Sequence, residues 1–149
     1  MSKRPTTFLL VDDDIVCMLK FKKFLNKAGA KNRVVTATDG LSALDVLRGR
    51  NGKAKLDRPF LVILDLSMPR MDGFELLAEI RNDPALCDVP VYVMTTSDNA
   101  DSIDRAMLLG ADGYVPKHDS EIGFEHVIDV GTNLDGTVQT PPIKVPTVL

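Results

Sequence analysis

The chain has only two cysteines, Cys17 and Cys87. No CxxC pair and no Cys/His cluster accompanies them, so a thiolate zinc site is excluded. Two thiols in these settings fit reduced residues of a cytosolic protein, not a disulfide framework. Long apolar runs are also missing. Residues 8–11 are apolar, but a run of three aspartates follows at once, too soon for a membrane span or a signal-peptide core. A cytoplasmic location and no membrane partner are therefore expected. A basic surplus is absent: the net charge is −3, which argues against nucleic acid as a direct partner. Neither GxGxxG nor GxxxxGK[ST] occurs, which disfavours a nucleotide-binding α/β protein. No repeat of solenoid length is visible.

What remains is the composition of an ordinary soluble domain, 44% hydrophobic and 26% charged across 149 residues. That length suits one domain, placed at residues 1–131. Residues 132–149 carry Pro141, Pro142 and Pro146 and read as an extended or partly disordered tail.

Short apolar runs predict buried strands at residues 8–11, 34–37, 60–64 and 91–94, with a weaker fifth at 113–115. Continuously apolar strands suit a parallel sheet covered on both faces. Helical stripes lie between and after them. Met18, Phe21, Leu25 and Ala28 form one, stopped by Gly29. Leu41, Leu44 and Leu47 form a second, and Phe74, Leu77 and Ile80 a third. Ile103, Ala106 and Met107 form a fourth, ended by Gly110. Phe124, Val127 and Ile128 form a poorer fifth, interrupted by Gly123 and closed by Gly131. Residues 48–59, rich in Arg, Lys and Gly, read as an exposed loop. Strand and helix alternate, which implies right-handed crossovers and a doubly wound α/β fold.

The polar residues then take on a pattern. Asp12 and Asp13 follow the first strand, Asp65 ends the third, Thr95 ends the fourth and Lys117 follows the fifth. In a parallel sheet these strand ends share one edge, where ligands of open α/β sheets bind. Any one of them alone is explained by a solvated turn or a strand end, but their joint placement is not. Carboxylates brought together repel unless a hard cation intervenes, and an all-oxygen site with room for water suits Mg²⁺. Lys117 and Thr95 would add an ammonium and a hydroxyl for a phosphoryl group. Asp65 is the best nucleophile, because the turn Ser67, Met68, Pro69 follows it and not another acid.

The segments LLVDDD at 9–14, LVILDLSMPRMDGFELL at 61–77, VYVMTTS at 91–97 and GADGYVPK at 110–117 resemble the signature segments of response-regulator receiver domains, the CheY-like superfamily. The resemblance covers about residues 6–130, and the run at 65–73 is its most specific part. It implies a flavodoxin-like (βα)5 fold with a five-stranded parallel sheet in the order 2-1-3-4-5. By resemblance Asp65 is the phosphoacceptor. Asp13 ligates Mg²⁺ directly, Asp12 mostly through water, and Ser67 through its backbone carbonyl. Lys117 pairs with the phosphoryl group, Thr95 hydrogen-bonds it, and Tyr114 is the aromatic switch coupled to that movement. Ser67 and Ser97 occupy the positions that tune hydrolysis.

The implied function is a single-domain response regulator of a two-component phosphorelay. Its partners would be a sensor histidine kinase or phosphotransfer protein and a downstream protein target. It would catalyse only its own phosphorylation and dephosphorylation, so it is not expected to be an enzyme in the ordinary sense. A homodimer through helix 4, strand 5 and helix 5, or through the tail, is the pairing the family suggests. The chain departs from the pattern at His118, where a proline usually follows the lysine; Pro116 precedes Lys117 instead. That leaves the Lys117–His118 bond cis or trans. The alternative is a phosphatase-type enzyme forming an aspartyl phosphate. Such enzymes want a second acid two residues past the nucleophile, where this chain has Ser67. A receiver-like scaffold without phosphorylation conflicts with the intact acidic set.

Overall fold

A computed structural model of the chain describes residues 5–68, 71–95, 100–116 and 120–134, with backbone alone for 95, 120–122, 133 and 134. Strands and helices alternate as β1 (Thr7–Val11), α1 (Ile15–Lys27), β2 (Val34–Ala37), α2 (Gly40–Arg48), β3 (Phe60–Asp65), α3 (Gly73–Asn82), β4 (Val91–Thr95), α4 (Ala100–Leu108), β5 (Gly113–Pro116) and α5 (Ser120–Leu134). The strands form one parallel sheet in the order β2-β1-β3-β4-β5, as expected.

Alternation along each strand divides the core in two. Leu9, Val11, Val62, Leu64, Val91 and Val93 face the helices α2, α3 and α4, together with Leu44, Leu47, Leu77 and Ile80. Phe8, Leu10, Leu61, Ile63, Tyr92 and Met94 face α1 and α5, together with Phe21, Leu25, Phe124 and Val127. Every residue of β3 is buried, because it is the central strand and both faces are covered. Edge-to-face stacking of Phe21 on Phe8 and on Phe124, with ring centroids 5.3 and 5.1 Å apart, ties α1 to the sheet and to α5.

The first three helices start at aspartates. Asp14, Asp39 and Asp72 cap them, accepting from the N–H groups of Val16, Ser42 and Glu75 at 3.0, 2.8 and 2.9 Å. A capping carboxylate satisfies a donor the helix cannot, and complements the helix dipole. α1 and α2 begin directly after short turns from β1 and β2, whereas α3 follows a longer loop.

Several sequence expectations need correction. Leu41 is 43% exposed, and the buried face of α2 runs through Gly40, Ala43, Leu44, Val46 and Leu47 instead. Counting from Leu41 placed the stripe one residue out of phase at its start. Ala28 caps α1 and is exposed. The 48–59 loop is exposed along most of its length but drops Leu56 into the core, where its N–H donates to Val46 O at 3.1 Å. Gly123 and Gly131 neither interrupt nor close α5, which continues to Leu134. A Cβ at Gly123 would collide with Val115 Cγ1, and one at Gly131 with the ring of Phe8. Both glycines let the helix lie close on the sheet, which outweighs their poor helix propensity. Residues 135–149, the greater part of the expected tail, lie outside the described residues.

Candidate metal and phosphoryl site

The C-terminal edge of the sheet collects the expected acids. Asp12 directly follows β1 and is fully buried; its N–H donates to Ala37 O at 2.9 Å, extending the β1–β2 pairing by one residue. Its Oδ1 accepts the N–H of Asp14 at 3.0 Å, which turns the chain into α1. Asp13, next along, is exposed. Asp65 ends β3, is 5% exposed, and accepts the N–H of Ser67 at 3.1 Å. One carboxylate oxygen from each of Asp12, Asp13 and Asp65 lies within 4.8 Å of the others. Three acids from two strand ends, two of them buried and one exposed, offer hard oxygen donors. This donor set fits a divalent cation of the magnesium or manganese type, with coordination completed by water.

The described ends of the loop after Asp65 are held by backbone N–H hydrogen bonds. Ser67 donates to the Asp65 carboxylate, and Gly73 N–H donates to Leu66 O at 3.2 Å, closing the loop. A Cβ at Gly73 would collide with the Asp65 carbonyl and lie 2.7 Å from Leu66 Cα. Glycine is needed there for close backbone approach.

The remaining expected residues are placed unevenly. Thr95 ends β4 beside Pro116 of β5, and Met94 pairs with Asp65, so the backbone of 95 reaches the acidic edge. The Thr95 side chain, Lys117, His118 and Ser97 lie outside the described residues. Tyr114 is buried, 8% exposed, and packs into the core on the α3–α4 side.

A family model for the response regulator receiver domain matches residues 8–127. The chain belongs to the response-regulator receiver family. Among the receiver's relatives, response regulator Rcp1 of Synechocystis is 34% identical over 116 residues, covering 78% of this chain and 79% of that protein. The probable methanogenesis regulatory protein FilR2 of Methanothrix harundinacea is 34% identical over 113 residues, 76% of this chain and 72% of the relative. Solved structures agree. Phosphorylated RcpA, a cyanobacterial phytochrome response regulator, superposes with a TM-score of 0.78 at 32% identity, over 91% of this chain and 97% of that one. The Mn²⁺-bound form of Rcp1 superposes with a TM-score of 0.76 at 31% identity, over 93% of this chain and all of that one.

Two features of this receiver domain were missed in the sequence. The first turns of α1 expose Ile15, Val16 and Leu19 at 68, 56 and 60%, directly after the acidic cluster. The signal was present, since three apolar residues fall off the Met18, Phe21, Leu25 stripe, but only the buried face was read. The second is Arg81, at the opposite edge of the sheet. It donates to Gly110 O at 2.9 Å, Cys87 O at 3.1 Å, Val89 O at 2.7 Å and Asp112 Oδ2 at 3.1 Å. Nothing in a lone arginine at a helix end reveals partners up to 31 residues away.

Proposed function

We propose that this protein is a phosphorylation switch. It accepts a phosphoryl group on Asp65 from a phosphohistidine of a sensor histidine kinase or phosphotransfer protein, and signals through a changed protein-binding surface. The observation that carries this reading is the convergence of Asp12, Asp13 and Asp65 within 4.8 Å at the C-terminal edge of a receiver fold.

The residues divide the work as follows. Asp65 is oriented by the Ser67 N–H on its Oδ1 and supplies the attacking carboxylate oxygen. An O–P bond forms to Asp65 as the N–P bond of the phosphohistidine breaks, and the leaving imidazole takes up a proton. Asp12, Asp13, Asp65 and the Ser67 carbonyl would hold Mg²⁺, which supplies charge neutralisation for the phosphoryl oxygens. Lys117 and the Thr95 hydroxyl pair with the phosphoryl oxygens, and buried Tyr114 responds to the movement of Thr95. Water then cleaves the acyl phosphate, so the protein turns over only its own modification. Ser67 and Ser97, both small, hold the positions that by resemblance tune this hydrolysis.

The phosphodonor docks on α1, where Ile15, Val16 and Leu19 present an apolar surface next to Asp13. A donor must come within bonding distance of Asp65, so its contact surface has to adjoin the acidic edge. The downstream surface, or a homodimer, uses α4, β5 and α5, where Leu108 is 89% exposed, or the C-terminal tail. The reading places the protein in the cytoplasm together with its donor. Among the described residues no helix is long and apolar enough to cross a membrane.

Incubation with Mg²⁺ and a small phosphodonor tests this reading. One added phosphoryl group is expected by intact mass, lost in Asp65→Asn and lost on chelation. Labelling that persists in Asp65→Asn would place the nucleophile elsewhere. Sustained turnover of many phosphomonoesters would favour a phosphatase.

A further inference from the structure

Gly40 is the first residue of α2, and its local backbone does not call for glycine. It is not among the residues with positive φ, which are Gly29, Gly49, Asn51, Gly52 and Gly110. Helix propensity also ranks alanine above glycine, so helix formation does not call for glycine here.

The reason for glycine lies across the acidic edge. A Cβ at position 40 would stand 2.6 Å from Met71 Cγ, 2.7 Å from Met71 Cβ and 2.7 Å from the Met71 carbonyl oxygen. Cγ could swing away, but Cβ and the carbonyl oxygen move only with the backbone. In place of a side chain, the Gly40 N–H donates to that carbonyl at 3.2 Å. Met71 belongs to the loop that leaves Asp65. That loop is pinned at its start by Ser67 N–H on the Asp65 carboxylate and at its end by Gly73 N–H on Leu66 O. The contact with Gly40 is a third anchor, supplied by a different element. Asp39, which caps α2 through Ser42 N–H, fixes the helix end that carries it.

We propose that Gly40 is a positioning residue for phosphoryl transfer: its bare backbone lets the start of α2 dock on the Met71 carbonyl and so sets where Asp65 and Ser67 present their oxygens. The proposal rests on the reading of Asp65 as phosphoacceptor. It touches neither the phosphoryl group nor the metal, and acts through the loop.

The test compares Gly40→Ala with the unaltered full-length chain in three measurements: labelling rate by a small phosphodonor at saturating Mg²⁺, Mn²⁺ affinity of the unphosphorylated protein, and backbone amide shifts. The labelling rate is expected to fall about tenfold, because displacements well below an ångström are felt at a reacting centre. Mn²⁺ affinity should weaken, and the shifted amides should cluster at the start of α2 and in the loop after Asp65. Met71→Ile adds a branch on the atom facing Gly40 and probes the same contact with α2 untouched; it should slow labelling in the same direction. Gly29→Ala is the control. Gly29 has φ +70° and nothing within 4 Å of an added Cβ, so this variant should lose stability and label at the normal rate. Normal labelling and normal Mn²⁺ affinity in folded Gly40→Ala, or in Met71→Ile should Gly40→Ala not fold, would overturn the proposal. If the unaltered chain takes no label, the phosphoacceptor reading fails, while metal affinity and amide shifts still decide whether Gly40 positions the loop.

Discussion

The two edges of this sheet are built on opposite electrostatic rules. At the C-terminal edge, oxygens of Asp12, Asp13 and Asp65 gather within 4.8 Å of one another. At the N-terminal edge, acids meet guanidinium groups. Arg81 pairs with Asp112, Arg48 with Glu79 and Asp83, and Arg58 with Asp88 at 2.7 Å. Asp112 Oδ2 also accepts the Val91 N–H at 2.8 Å, so one carboxylate oxygen joins the starts of β4 and β5 to the end of α3. The comparison separates two uses of charge. Paired charges with satisfied hydrogen bonds hold strand and helix ends together, whereas clustered like charges cost stability until a cation joins them. One edge fastens the fold; the other carries the acids proposed for phosphoryl transfer.

That division can be broken from either side. The largest effect is expected at the fastened edge. Arg81→Ala removes donors to three backbone carbonyls and the partner of Asp112, and should cost about 2 kcal/mol in denaturant unfolding. Mg²⁺-dependent labelling of the variant that remains folded should continue. Loss of labelling with stability intact would mean the two edges are not separate.

At the acidic edge the expected sign reverses. Asp13→Asn should raise the stability of the metal-free protein by on the order of 1 kcal/mol, since it relieves repulsion at an exposed, screened position. The same change should weaken Mg²⁺ binding. Thermal unfolding with and without Mg²⁺ reads both effects. A variant less stable without metal would show that these carboxylates are not in conflict.

Tyr92 belongs to neither edge and sharpens the contrast from the core. It is fully buried, its hydroxyl has no hydrogen-bond partner among the described residues, and burial with the nearby Asp112 charge pushes its pKa up to about 12. An unfolded tyrosine ionises near pH 10. The raised native value means that the neutral phenol favours the folded state. That contribution is complete below about pH 10 and is lost as the pH rises towards 12. Tyr92→Phe should therefore flatten the alkaline limb of the stability profile. Near neutrality it should leave stability unchanged or raise it by up to about 1 kcal/mol, since an unmet buried hydroxyl is removed. An unaltered alkaline limb would contradict the placement.

The smallest effect belongs to the exposed pair. The Arg58 guanidinium holds the Asp88 carboxyl below its ordinary value of 3.8. The depressed value gives stability that is present above that pH and lost as the pH falls through the lower native value. Both side chains are more than half exposed, so Asp88→Asn should cost at most about 0.5 kcal/mol. A larger loss in urea unfolding would show that the pair is more than a surface contact.

Much of this was legible in the sequence, for identifiable reasons. The parallel sheet is written in continuous apolar runs such as residues 60–64, because a strand covered on both faces has no polar side to show. Asp12, Asp13 and Asp65 could be grouped because parallel strands deliver their ends to one edge whatever their separation along the chain. Close packing was not legible. Gly123 and Gly131 looked like helix breaks, and only Val115 and the Phe8 ring above them explain why glycine is required. Leu41 misled because one apolar residue on a wet face shifts a short stripe. Arg81 and Met71 act through backbone carbonyls, which have no sequence signature.

The measurement that bears most directly on the account is chemical location of the phosphoryl group. Borohydride reduction of the Mg²⁺-dependent phosphorylated protein, followed by peptide mass analysis, should convert position 65 alone to homoserine. Reduction at another residue, or at 65 without any need for a divalent cation, would contradict a metal-assisted acceptor at that edge.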